Sequence, residues 1–258
     1  MTRYLTDISE RLEELLDVVH SADDAVLDVY SSNSAIVQTK IDNTPVTQAD
    51  LASHEILTRG LTRLFPSIPI VSEEGDVTEN RKTVKSDCFW LIDPLDGTKE
   101  FITRTEHFTI CVALIEESSP TFGVVSAPAL GYMYYGGPSL GSYKRTESGE
   151  TIPIRMSPKK LGVVMGSRSA YNEQTRGYIA EHYPSAEIQA VGSQLKLPYI
   201  AEGKADAYPR IGSTLHLWDL AAGQAILEGA GGKVRKPDGS RINYHSDSLQ
   251  VGDFVASS

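Results

Sequence analysis

Cys88-Phe89-Trp90-Leu91-Ile92-Asp93-Pro94-Leu95-Asp96-Gly97-Thr98 runs from an apolar segment straight into two carboxylates three positions apart. A short apolar run bounded by turn residues reads as a buried strand, and the Pro and Gly beyond it read as a turn. A turn at a strand end can aim Asp93 and Asp96 at one point. Such a turn suits a hard cation. Magnesium takes oxygen ligands from a few carboxylates, waters and phosphate oxygens, and a backbone carbonyl such as that of Leu95 can complete its shell. Gly97 lets backbone and phosphate approach closely, and a helix beginning here would turn the N–H groups of Gly97 and Thr98 toward an anion. In isolation, Asp-Pro-x-Asp-Gly is an ordinary surface turn.

Its company argues for more. Glu73-Glu74 follows a second short apolar segment, expected as a strand over 70–71, and Asp219 opens the helix-like stretch Trp218-Asp219-Leu220-Ala221-Ala222-Gly223. Alone, Asp219 would read as a helix N-cap and the Glu pair as a solvated strand end. Together, several acids near apolar strand ends repel one another unless cations neutralise them. Divalent ions would also let an acidic protein receive an anionic substrate. The formal net charge is −10, from 34 acidic and 24 basic residues, which argues against broad electrostatic binding to nucleic acid or to an anionic membrane. Any phosphate must be held locally.

Further outward, 258 residues at 40% hydrophobic content can bury a sizeable core. Leu5, Ile8, Leu12, Leu15, Val19, Ala22, Val26 and Val29 recur at helical spacing, so the chain opens on an amphipathic helix. That opening does not read as a signal peptide, and no apolar run approaches the ~20 residues of a membrane span. Cys88 and Cys111 sit in apolar runs without zinc or disulfide spacing and read as thiols of a reducing compartment; cytoplasmic residence is expected. A helix is expected over 48–65, and strands over 109–115 and 122–126. After Gly136-Gly137-Pro138 the pattern changes. Strands are expected over 152–156, 162–166 and 205–210, and helices over 169–182, 193–202 and 218–228. This places a soft boundary between an α+β lobe, 1–138, carrying most of the acids, and an α/β lobe, 139–258, carrying Asp219, in one packed unit.

In order and spacing, Glu73-Glu74, Asp93-Pro94-Leu95-Asp96-Gly97-Thr98 and Trp218-Asp219 resemble the signature of the inositol monophosphatase superfamily. Four other stretches resemble its bacterial 3'(2'),5'-bisphosphate nucleotidase branch. They are Asp42-Asn43-Thr44-Pro45-Val46-Thr47, Asp96-Gly97-Thr98-Lys99-Glu100-Phe101, Gly192-Ser193-Gln194-Leu195-Lys196 and Ala207-Tyr208-Pro209-Arg210. Ala170 departs from that pattern, which often has His there. The resemblance implies a layered αβαβα sandwich, magnesium dependence with two or three Mg2+ per site, lithium sensitivity, and a monomer or homodimer.

Carried over by motif, Glu73, Asp93 and the Leu95 carbonyl would hold one magnesium, and Asp93, Asp96 and Asp219 a second. Thr98 backed by Asp50 resembles the pair that orients and deprotonates an attacking water, with Glu73 as helper; in-line attack without a phosphoenzyme is implied. Asp50 by itself would read as an acid favourable to a helix N-terminus. Glu73, Leu95, Asp96, Gly97, Thr98 and Asp219 would also face the substrate. Ser193 at an expected helix start, Lys196 one turn later and Arg210 on a nearby strand form a candidate pocket for a second phosphate. Arg168 and Tyr208 are candidates for the base or sugar, and His107 and His216 read as structural. The expected reaction is hydrolysis of the 3'-phosphate of 3'-phosphoadenosine 5'-phosphate to AMP, with its sulfated relative as a second substrate, in sulfur metabolism. The competing readings are an inositol or broad sugar phosphatase and a metal-binding regulatory protein without turnover.

Overall fold

The computed structural model describes residues 3–32, 37–39, 45–156, 160–168, 171–246 and 248–258. The expectations at Asp42, Asn43, Thr44, Ser169 and Ala170 lie outside them. The opening helical pattern is realised as α1 (Arg3–Glu10) and α2 (Leu12–Ser31), broken at Arg11, whose φ of −115° and ψ of 18° leave the helical region. Short β1 (Val37–Thr39) and β2 (Pro45–Thr47) pair antiparallel and lead into α3 (Gln48–Leu64). Thr47 and Asp50 form a capping box at its start.

β3 (Ile70–Ser72), α4 (Val77–Thr83), β4 (Cys88–Asp96) and α5 (Thr98–Ile102) follow. Then come β5 (Thr109–Glu116), β6 (Ser119–Ala127), β7 (Tyr132–Gly137), β8 (Gly141–Thr146) and β9 (Thr151–Ile154). β3 to β9 make one seven-stranded sheet in sequence order, antiparallel except for the β3–β4 pair. The sheet passes through Pro138, where composition changes, and ends at Ile154; Pro138 lies in the β7–β8 hairpin turn.

The rest of the chain supplies β10 (Val163–Ser167), α6 (Glu173–His182), β11 (Glu187–Val191), α7 (Lys196–Ala201), β12 (Ala207–Arg210) and β13 (Leu215–His216). A 3-10 turn, Leu217–Asp219, precedes α8 (Ala221–Gly229), β14 (Lys233–Arg235), β15 (Gln250–Val251) and β16 (Phe254–Ser257). A second sheet of five strands has the order β11-β10-β12-β16-β14.

Period-two geometry explains the layering. On β5, Ile110, Val112 and Leu114 pack with Leu15, Val19 and Leu57 of the N-terminal helices, while Cys111, Ala113 and Ile115 face Ala222, Ile226 and Leu197 of α7 and α8. Both faces are buried, so the whole strand is apolar. α8 lies close on β6: a Cβ at Gly123 would stand 2.4 Å from the Ala222 carbonyl oxygen. Beyond α7 and α8 come the second sheet and then α6, whose Ile179 packs on Val164 and Ala207. The order is helices, sheet, helices, sheet, helix: the αβαβα sandwich. Among the described residues no helix is long and apolar enough to cross a membrane.

Candidate active site

In a regular strand, residues three apart point to opposite faces, so Asp93 and Asp96 should diverge. They do not, because β4 bulges between them. Asp93 pairs with Cys111 and Asp96 with Thr109, so two residues, Pro94 and Leu95, stand opposite the single Ile110. The extra residue restores the face, and Pro94, which lacks an N–H, loses nothing in the interrupted ladder. Parallel pairing of β3 with β4 then brings in Glu73, whose backbone N–H donates to the Ile92 carbonyl at 3.2 Å.

Asp219 arrives from the other half of the chain on the 3-10 turn and is not the N-cap of α8: its Oδ2 accepts the His216 N–H at 2.8 Å in a capping box on that turn. Glu73, Asp93 and Asp219 each offer an oxygen within 4.8 Å of the others. Asp96 stands beside this trio. Its carboxylate accepts from the Thr109 hydroxyl at 3.4 Å, and the Gln194 backbone N–H nearby favours its ionised form.

The electrostatics are those of unneutralised acids. Burial first, then Glu73, Asp96 and Asp219, push Asp93 well above the carboxylate range; burial, then Asp96 and Glu73, do the same to Asp219. Burial raises Asp96 to about 6 against the pull of the Lys196 ammonium. Asp93 Oδ1 accepts the Leu95 N–H at 3.1 Å, but its buried Oδ2 has no hydrogen-bond partner. An orphaned carboxylate oxygen within an all-oxygen donor set fits a hard divalent cation such as magnesium.

Thr98 starts α5 directly after Gly97, whose φ of 91° is the left-handed conformation. A Cβ there would also press within 3.1 Å of the His107 carbonyl oxygen and 3.4 Å of Ser193 Cβ. The Thr98 hydroxyl lies 3.2 Å from both Asp50 Oδ1 and the Leu95 carbonyl oxygen, either of which can accept its proton. Asp50 is buried, and Thr47 donates to its Oδ2 through the backbone N–H (2.8 Å) and the hydroxyl (2.6 Å). Burial raises the Asp50 pKa and those bonds oppose the rise.

A cleft of about 290 Å³ gathers Glu73, Asp93, Leu95, Asp96, Gly97, Thr98 and Asp219 with Ser193, Lys196 and Arg210. Asp50 stands behind Thr98 instead of lining it. Ser193 does not begin a helix. Its φ of 50° is a left-handed turn, and α7 starts at Lys196. Buried Lys196 donates to the Val191 and Ser193 carbonyls and lies 5.2 Å from the centre of the Tyr208 ring. Arg210 donates to the Thr214 carbonyl at 3.0 Å, while its buried Nε has no partner.

Tyr208 and His216 line the cleft, His216 stacked on Trp218 at 4.7 Å, whereas Arg168 is exposed and lies outside the lining. His107 lies outside the lining, its Nδ1 accepting the Gly192 N–H at 3.5 Å. Sequence reasoning gave no role to Thr109, which donates to Asp96, or to Gln194 and Thr47, met there only within motif stretches. A buried amide or hydroxyl inside a loop or strand has no periodicity to reveal it.

The inositol monophosphatase family model matches residues 7–258. The 3'(2'),5'-bisphosphate nucleotidase CysQ of Buchnera aphidicola subsp. Acyrthosiphon pisum is 38% identical over 239 residues, covering 92% of this chain and 88% of that one. CysQ of Escherichia coli strain K12 is 36% identical over 238 residues, covering 90% and 93%. The crystal structure of CysQ from Bacteroides thetaiotaomicron, described as a bacterial member of the inositol monophosphatase family, matches with a TM-score of 0.82 at 28% identity. That match covers 96% of this chain and 97% of the other.

Proposed function

We propose, from the premise that this chain belongs to the inositol monophosphatase family, that it hydrolyses the 3'-phosphate of a 3',5'-bisphosphonucleotide. The substrate is 3'-phosphoadenosine 5'-phosphate, giving AMP and phosphate, with its 5'-phosphosulfate counterpart as a second substrate. The observation that carries the reading is one cleft with two chemistries, lined both by a carboxylate nest and by the cations Lys196 and Arg210. The nucleotidase names of its relatives support the same choice.

Glu73, Asp93 and Asp219, with Asp96 and the Leu95 carbonyl beside them, would hold Mg2+. Bound there, Mg2+ would supply Lewis-acid stabilisation of charge on the phosphoryl oxygens. With the Thr98 hydroxyl donating to Asp50, its free lone pairs accept a hydrogen bond from water in the cleft. As the water oxygen forms its bond to phosphorus, its proton passes through Thr98 to Asp50, and the bond to the 3'-oxygen breaks. Asp50 suits that task, since burial makes it a stronger proton acceptor than an exposed carboxylate while the Thr47 bonds fix its orientation. Glu73 stands within the same cleft as a second acceptor. The 3'-oxygen leaves with a proton from solvent. Arg210 and Lys196 would hold the 5'-phosphate, the unpartnered Arg210 Nε finding its acceptor there.

The test is phosphate release from 3'-phosphoadenosine 5'-phosphate and from inositol 1-phosphate, each with magnesium and with EDTA. The expected result is magnesium-dependent preference for the nucleotide, reduced about 10-fold or more in K196A and R210A, as loss of a charge-assisted contact implies. Preference for the inositol phosphate would overturn the nucleotide assignment.

A further inference from the structure

We infer that Gln194 is a positioning residue that locks Asp219 to Asp96 across the two halves of the chain and thereby sets the cleft's affinity for a divalent cation. This rests on the reading of Glu73, Asp93 and Asp219 as cation ligands.

Gln194 is 1% exposed, and its side chain makes two hydrogen bonds to two different elements. Its neighbour Ser193 packs against the end of β4, with the Ser193 Cβ 3.4 Å from where a Cβ at Gly97 would stand, and the backbone N–H of Gln194 is turned toward the Asp96 carboxylate. Its side-chain Nε2 donates to the Trp218 carbonyl at 2.6 Å, one residue before Asp219. Its Oε1 accepts the Gly223 N–H at 2.8 Å, in the first turn of α8. The two side-chain bonds therefore flank Asp219 on both sides.

α8 needs such a partner. The N–H groups of a first helical turn have no intrahelical acceptor, and its N-cap residue, Leu220, makes no side-chain capping bond. Gln194 supplies that cap from a segment 29 residues upstream. It can do so only as an amide, because one end must donate to a carbonyl while the other accepts from an N–H. A carboxylate could accept from Gly223 but would meet the Trp218 carbonyl without a proton.

Ligands delivered by separate elements are only as well placed as the contacts that join those elements, and loss of such outer contacts typically costs 10- to 100-fold in metal affinity. Asp219 comes on the 3-10 turn and Asp93 and Asp96 on β4, so Gln194 is the joint between them.

The experiment is calorimetric titration of the whole chain with Mn2+, no substrate present, for wild type, Q194M, I200A and D219N. Met keeps the length of the side chain and removes its polar atoms. I200A opens the core on α7, the helix that follows Gln194, at a residue outside the cleft, and measures what general loosening does. The expected result is Mn2+ affinity weakened 10- to 100-fold in Q194M, within about two-fold of wild type in I200A, and lost in D219N. In turnover, Q194M should need more cation to reach half-maximal rate while keeping a maximal rate within a few-fold. If Q194M does not fold, Q194L carries the same test. Wild-type affinity in Q194M, or equal weakening in I200A, overturns the positioning role while leaving the ligands standing. Wild-type affinity in D219N overturns the ligand reading beneath it.

Discussion

Asp23 and Asp93 are both buried aspartates with one carboxylate oxygen lacking a partner, yet they sit in different company. Asp23, on α2, has the Ser126 hydroxyl at 2.7 Å from Oδ2 and the His20 ring at 3.9 Å from the same oxygen; burial pushes its pKa up to about 7. Asp93 is pushed up by burial and then by three further carboxylates. A lone buried acid escapes its desolvation penalty by taking a proton. A cluster can do the same only by taking several, and protonated carboxyls bind no cation. The difference separates an acid that one proton can neutralise from a group of acids that could hold a cation.

The hardest blow to that contrast would be Asp93→Asn. It should lower kcat/KM by about 10³-fold or more, in keeping with loss of the main electrostatic stabilisation, with circular dichroism unchanged. Near-wild-type turnover would make the cluster as incidental as Asp23. Next in size, Thr98→Ala and Asp50→Asn should each slow turnover by about 10²-fold, as loss of general-base assistance implies. Their Mn2+ affinity should stay near wild type; an equal fall in affinity would make them ligand supports instead.

The third comparison is thermal. The folded-state pKa values of Asp93 and Asp219 are raised above 3.8, so without cation the folded chain holds more protons than the unfolded one and loses stability as pH rises above about 4. Magnesium at 100 times its dissociation constant should return about 2.7 kcal/mol, or roughly 5–10 °C in Tm for a chain of this size. The gain should be larger at pH 8 than at pH 5, where protons compete, and absent in D93N. A gain independent of pH would detach it from these carboxylates.

A last effect belongs to Asp23. With a folded pKa of about 7 against 3.8, it contributes a loss of stability as pH rises between those values. Asp23→Asn should flatten that part of the Tm profile, with or without magnesium. Dependence on magnesium would join Asp23 to the cleft.

The two regions were also unequally readable. Asp93, Asp96, Gly97 and Thr98 stand together in sequence, so their chemistry was visible as a turn after an apolar run. Asp23 sits among Ala22 and Val26 in a helical stripe, and nothing local tells that Ser126, 103 residues away, will meet it. The strand over 109–116 was equally plain, but its uninterrupted apolar run conceals which residues face which helices, because both faces are buried. The helix expected over 193–202 shrank to Lys196–Ala201: Ser193 takes a left-handed φ, and the Gln194 side chain is engaged by Trp218 and Gly223, far away in sequence.

By itself, then, the sequence determined which residue types could take a hard cation, where some of the strands and helices fall to within a few residues, and the family to which the chain belongs. These follow from local rules of periodicity, turn chemistry and donor type. Only the tertiary structure decided that Asp93 and Asp96 share a face, that Asp219 meets them from the far half of the chain, and that a buried glutamine joins the two. The reason is physical. A one-residue bulge reverses which face a side chain takes, and long-range hydrogen bonds leave no period in the chain that makes them.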